Sequence, residues 1–273
     1  MKNIVTDFDG VVTDVMEESS TFEAAYLEGM CQKFSLPPPE LVDMVAATKK
    51  IIESHPGKYG WEMDGVIVVD AHADPYIYTQ TATFLALTEM ISKGYAHISA
   101  EYERDKPFYN IFAEAYAKAG IFFRPFAREY LLTLHQTANL TIVTNSRTDS
   151  VNTKLIKLLG SDHGLRLVGN AQKMKLERSW NKVPDSIIPA GFPRPIYLRH
   201  KLYGDILNQL SPVHAVCGDV WELDLSLPEY LGIKTVFILK EMTPKWERRH
   251  YLNHFNGYAT PSLEIALKHL LSD

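Results

Sequence analysis

The chain has 273 residues, 46% hydrophobic and 22% charged, with a formal net charge of −5. It is long enough to bury a core without disulfide or metal staples. The acidic balance argues against nucleic acid as a partner, Cys31 and Cys217 are too few for a disulfide framework, and no apolar run approaches the ~18 residues of a membrane span.

The first predicted strand, "KNIVTDFD" (2–9), is apolar and runs directly into carboxylates. Asp7 and Asp9 lie two apart, Gly10 follows at once and Asp14 closes the stretch. Carboxylates this close repel one another, so either a solvated turn disperses them or a cation gathers them. An acidic strand this early leaves no room for a signal peptide, and the expectation is a cytoplasmic protein.

Residues 17–128 read as mainly helical. "SSTFEAAYLEGMCQKF" (19–34) places Ser20 and Glu23 in capping-box spacing, with Phe22, Tyr26, Met30 and Phe34 on one face. "PPP" (37–39) is a break that cannot lie inside a helix. "GVIVV" (65–69) is strand-like, and "DAHAD" (70–74) reads as a connecting loop with Asp74 starting the next helix. That helix is "YTQTATFLALTEMISKG" (78–94), and "DKPFYNIFAEAYAKAG" (105–120) runs from an Asp105 cap to Gly120. Trp61, Tyr76, Tyr78 and Phe84 fit the core of this segment.

From residue 139 strands and helices alternate. "NLTIVTNS" (139–146) is a strand and "SVNTKLIKLLG" (150–160) a helix stopped by Gly160. "LRLVGN" (165–170), "VHAVCGD" (213–219) and "KTVFIL" (234–239) read as strands, and "KLYGDILNQL" (201–210) and "PSLEIALKHLL" (261–271) as helices. This rhythm predicts an α/β fold: a Rossmann-like, mostly parallel sheet covered on both faces, with the first strand near its centre. The expected division is a core of 1–16 and 129–273 interrupted by an inserted, mainly helical cap of 17–128.

In a parallel sheet, ligands bind beyond the carboxyl ends of the strands. Three predicted strands end in reactive residue types: "TDFDG" (6–10), "VTNS" (143–146) and "CGDVWELD" (217–224). One edge therefore collects Asp7, Asp9, Thr144, Asn145, Asp219 and Asp224. Cys217, within an apolar strand, reads as packing. His250 and His254 have the spacing of a metal pair but no third ligand nearby, and read as a surface helix.

"DFDGVVTD" resembles the nucleophile motif of the haloacid dehalogenase-like (HAD) hydrolases. "IVTNS" is similar to that family's second motif and "VCGDVWELD" to its fourth. The insert after the first motif matches the position of the family's cap domain. The resemblance implies a phosphatase in which Asp7 attacks phosphorus and Asp9 acts as general acid and base. It further implies that Thr144 and Asn145 hold phosphoryl oxygens, while Gly10 permits close backbone approach. Mg²⁺ would sit on Asp7, Asp219, Asp224 and the carbonyl of Asp9. The family also uses a basic residue ahead of the fourth motif. Lys201, at a predicted helix start, is the choice here, with Arg194, Arg199 and Lys173 as alternatives. The implied substrate is a small phosphorylated metabolite, enclosed by the insert as a lid. Dehalogenase or phosphonate-cleaving chemistry fits less well, since relatives with those activities lack an acid at position 9. A phosphomutase, and a binding module that keeps the fold without turnover, complete the alternatives.

Overall fold

The strand that opens the sequence lies in the interior of a six-stranded parallel sheet. The computed structural model describes residues 1–95, 98, 102, 108–252 and 256–272. Its strands are β1 (Asn3–Thr6), β2 (Gly60–Met63), β3 (Val66–Asp70), β4 (Asn139–Val143), β5 (Arg166–Val168), β6 (Ser186–Ile187), β7 (Ile196–Tyr197), β8 (Val213–Gly218), β9 (Lys234–Ile238) and β10 (Gly257–Thr260). The large sheet has the order β10-β9-β8-β1-β4-β5, while β2-β3 and β6-β7 are separate two-stranded pairs. Thr6 lies opposite Ile142 on one side and Cys217 on the other, and Gly218 opposite Phe237. Because every pairing in this sheet is parallel, the residues just past 6, 143, 218 and 238 share one edge.

Helices α1 (Val15–Phe34), α2 (Pro38–Ser54), α3 (Pro75–Ser92) and α4 (Tyr109–Lys118) belong to the insert; α5 (Ala127–Thr137), α6 (Thr148–Leu159), α7 (Lys201–Gln209), α8 (Ser226–Tyr230), α9 (Lys245–Leu252) and α10 (Leu263–Leu271) follow. Strand alternation sends successive residues to opposite faces. Ile4, Ile142, Ala215 and Val236 pack with Tyr130, Leu134, Val151, Leu155 and Leu270 from α5, α6 and α10. Their neighbours Val5, Val143, Val216 and Phe237 pack on the other side with Tyr203, Leu207, Trp221 and Leu227. Such runs, apolar at every position, are what a sheet covered on both faces requires.

The chain divides into two compact units. One comprises Met1–Asp14, Glu62–Val69 and Phe122–Asp273; the other Val15–Trp61 and Asp70–Ile121. Residues 62–69 and 122–128, assigned by sequence to the insert, thus group with the core, and residues 15–16, assigned to the core, group with the helical unit. Arg194 shows why for the first of these: its Nη1 donates to the carbonyl of Ile67 at 2.9 Å. The β2–β3 turn uses left-handed Asp64 and Gly65 (φ 50° and 74°), the Asp-Gly signature of a tight hairpin.

Within the helical unit, Phe22, Tyr26, Met30, Leu41, Val45, Ile52, Ala82, Ala86 and Met90 form the core, joined by Tyr76, with Tyr78 and Phe84 partly buried against it. Helix α1 begins at Val15, so Ser20 and Glu23 lie inside it and cap nothing; buried Val15 draws the first turn upstream. Pro38 and Pro39 occupy the first turn of α2, where a missing N–H costs no helix bond. Asp74 caps α3 by accepting from the amides of Tyr76 and Ile77, and Asp70 accepts from His72 N. The Asp105 cap and His254 lie outside the described residues. Among the described residues, no helix is long and apolar enough to cross a membrane.

His200, just before α7, is fully buried, and its Nε2 donates to the Tyr197 carbonyl at 2.9 Å. Desolvation pulls its pKa down to about 4 from 6.5. Between those values the unfolded chain takes up a proton that the folded state refuses, so stability falls as pH drops from 6.5 towards 4. At ~1.4 kcal/mol per unit the full loss is about 3 kcal/mol. His200→Gln is expected to flatten that acid limb in calorimetric Tm-against-pH curves; an unchanged limb would assign the acid sensitivity elsewhere.

Candidate active site

The edge beyond β1, β4, β8 and β9 holds a dense cluster of buried charge. The Asp7 amide extends the β1–β8 ladder by donating to the Cys217 carbonyl at 2.8 Å. After it the chain turns sharply: Val12 N donates to Phe8 O, and Gly10 takes φ 78°. No side chain fits at position 10, because a Cβ built there would overlap the Asp219 carboxylate.

Beyond β4, Thr144 Oγ1 accepts from Ser146 N at 3.1 Å, and Asn145 Oδ1 accepts from Lys173 N at 2.7 Å. The Asn145 side chain therefore shapes the loop that carries Lys173. That loop also uses left-handed Asn170 and Gln172 (φ 52° and 47°) to turn the lysine inward. Lys173 Nζ lies 3.0 Å from Asp7 Oδ1 and 2.7 Å from Asp224 Oδ1. The Tyr203 ring lies 5.5 Å from the same ammonium, and its hydroxyl donates to the Asp224 carbonyl.

Beyond β8 the chain makes a wide turn over Trp221–Leu225. Asp224 closes it by accepting from the amides of Asp219 and Val220 at 3.2 and 3.0 Å. Carboxylate oxygens of Asp7, Asp219 and Asp224 all lie within 4.8 Å of one another. An all-oxygen donor set of this kind suits a hard divalent cation.

No protein-family model matches the chain, and no curated protein matches its sequence. Solved structures do match it along its whole length. A HAD phosphatase from Thermococcus onnurineus is 14% identical over 100% of this chain and 99% of its own, with a TM-score of 0.50. A protein from Thermotoga maritima assigned as a beta-phosphoglucomutase is 14% identical over 99% and 100%, at 0.51. A protein from Bacillus subtilis assigned as a HAD-hydrolase and solved bound to magnesium is 13% identical over 98% of both chains, at 0.50. The chain has the haloacid dehalogenase-like fold.

On this HAD fold, Asp7, Thr144, Asn145, Asp219 and Asp224 all lie at or just past the carboxyl ends of their strands. Asp9 is held apart from the three converging carboxylates. Ser146 Oγ donates to its Oδ2 at 2.6 Å, and Lys154 Nζ lies 3.4 Å from its Oδ1. Lys201 is not part of the cluster. It pairs with Asp205 one turn along α7, 2.5 Å away and 44% exposed, because buried His200 takes the inward position beside it. Arg194 pairs with Glu222, and Arg199 donates to the carbonyls of Arg178 and Val183. Of the four basic residues weighed from sequence, Lys173 alone bonds to Asp7.

Sequence reasoning passed over Lys154, Lys240 and Ser146. Lys154 follows Val151 by three on the inward stripe of α6 and is buried. Lys240, two residues past β9, donates from Nζ to Asp219 Oδ2 in a fully buried ion pair. Both had a signal: a lysine inside an apolar stripe, and a fourth strand ending on the same edge.

Burial raises the pKa of Asp7 well above the carboxylate range; Lys173 opposes this, while Asp224, Asp219 and Asp9 add to it. Burial alone would lower Lys173, but Asp224 and Asp7 hold it above the ordinary lysine range. Desolvation pushes the Cys217 thiol up to about 12, which leaves it a packing residue.

Proposed function

We propose that the protein is a Mg²⁺-dependent phosphatase that hydrolyses a small phosphorylated metabolite through an aspartyl-phosphate on Asp7. The observation that carries this reading is the pairing of Asp7 Oδ1 with Lys173 at the sheet edge. Lys173 fixes one oxygen, and Oδ2 attacks phosphorus. The bond from phosphorus to the leaving oxygen breaks as the new bond to Oδ2 forms, and Asp9 donates a proton to that oxygen. Asp9 then takes a proton from the water that cleaves the aspartyl-phosphate. Thr144 Oγ1 accepts from Ser146 N, which leaves its hydroxyl proton to donate to a phosphoryl oxygen. Asp7, Asp219 and Asp224 would hold the metal, which supplies positive charge against the phosphate. The buried, unbridged Cys31 and Cys217 support a reducing, cytoplasmic setting.

The test is phosphate release from a panel of phosphorylated metabolites, with Mg²⁺ or with chelator, for wild type and Asp7→Asn. We expect release that needs the metal and falls at least about 10³-fold in the variant. Release that survives Asp7→Asn would overturn the reading, and a repositioned phosphate with little free phosphate would move it to a mutase.

A further inference from the structure

The cluster contains more positive charge than its motifs require. The three converging carboxylates, Asp7, Asp219 and Asp224, are paired with two lysines, Lys173 and Lys240. That leaves one formal negative charge among them before any metal enters.

Lys240 is the residue that makes the difference at the metal ligands. Its side chain is 0% exposed and its partner Asp219 1%. The strand register explains its position: Gly218 lies opposite Phe237, so Lys240 emerges beside Asp219 at the same edge. Its backbone is pinned at both ends. The Lys240 amide donates to Thr243 Oγ1 at 2.8 Å, and its carbonyl accepts from Arg248. A lysine this buried has no solvent alternative, and Asp219 is an oxygen partner that it meets inside the protein.

We infer that Lys240 is a resident counter-cation that competes with the divalent metal for Asp219. The inference rests on the proposed reading in which Asp219 is a metal ligand. A metal ion entering the cluster meets the Lys240 ammonium beside one of its three carboxylates. It must either share Asp219 with that charge or displace it. The site therefore binds Mg²⁺ weakly, and the folded protein holds its acid cluster together without the metal.

The experiment is calorimetric Mg²⁺ titration, with Tm measured in Mg²⁺ and in chelator, for wild type, Lys240→Met and Lys240→Gln. Wild type is expected to bind with a Kd on the order of 1 mM or weaker, and its Tm to be nearly the same in both conditions. Removing the ammonium should tighten binding by at least about tenfold and make Tm rise with Mg²⁺. A variant that folds only with Mg²⁺ present supports the inference in its strongest form. A wild-type Kd below about 10 µM overturns it, whatever the variants do. So does unchanged affinity in a folded variant. Neither readout involves phosphate release, so these results stand apart from success or failure of the phosphatase reading.

Discussion

Lys173→Met is expected to destroy phosphate release and to destabilise the fold, while Lys201→Met does neither. Lys173 is the buried cation between Asp7 and Asp224. Removing it strands two carboxylates away from water, and breaking a buried pair from one side costs about 3–5 kcal/mol. Asp7 is already pushed towards its neutral form by burial, with Lys173 opposing that push. Without the lysine, Asp7 protonates more readily, which softens the stability loss but removes the nucleophile. Loss of the charge that steadies the phosphoryl group adds a further factor of about 10²–10³ in rate. Lys201 instead makes an exposed pair with Asp205 one helical turn away, and such pairs contribute about 0.3–0.5 kcal/mol. Urea denaturation and phosphate release on the two variants decide the matter. Loss of activity in Lys201→Met with retention in Lys173→Met would return the role to the helix start. The double variant Lys173→Met/Asp224→Asn should recover part of the stability but none of the activity, since it removes one stranded charge and leaves the nucleophile without its partner.

The difference between those two lysines shows where sequence reading stops. Five of the six strands of the large sheet were legible because each is a short apolar run, and their polar ends follow from the direction of a parallel sheet; β10, with the sequence Gly-Tyr-Ala-Thr, carries no such run. Lys201 stood out because a helix start is easy to read. Lys173 lies in an irregular stretch turned by left-handed Asn170 and Gln172, and no periodicity announces a loop of that kind. Its burial comes from tertiary contacts with Asp7, Asp224 and Tyr203, residues between 30 and 166 positions away. Lys240 and Lys154 were nearer to reach. The rule that gathered three strand ends applies equally to β9, and a lysine three residues after Val151 contradicts the apolar stripe of α6. One helix start failed differently. Ser20 with Glu23 has the spacing of a cap, but the aliphatic Val15 upstream is buried in the helical unit's core and moves the start five residues earlier.

Gly10→Ala should be among the most damaging single-methyl changes in the chain, and Gly232→Ala measures how much of that damage is backbone strain. The two glycines have almost the same dihedral, φ 78° and 77°. Around Gly232 a Cβ would meet nothing within 4 Å, so its substitution costs only the left-handed conformation, about 1–2 kcal/mol. At Gly10 the same strain is joined by a collision with the Asp219 carboxylate. Asp219 is held by buried Lys240, and its own amide is fixed by Asp224, so it has little freedom to withdraw. Either the β1 turn shifts, which moves Asp7 and Asp9, or Asp219 leaves Lys240, which exposes a buried ion pair to one-sided loss. The second route costs about 3–5 kcal/mol on its own. The first misplaces the nucleophile by a distance that costs about 10²-fold in rate. Both routes end in a variant markedly less active than Gly232→Ala. Equal urea midpoints and equal phosphate release in the two variants would mean that the turn absorbs the methyl group without disturbing Asp219.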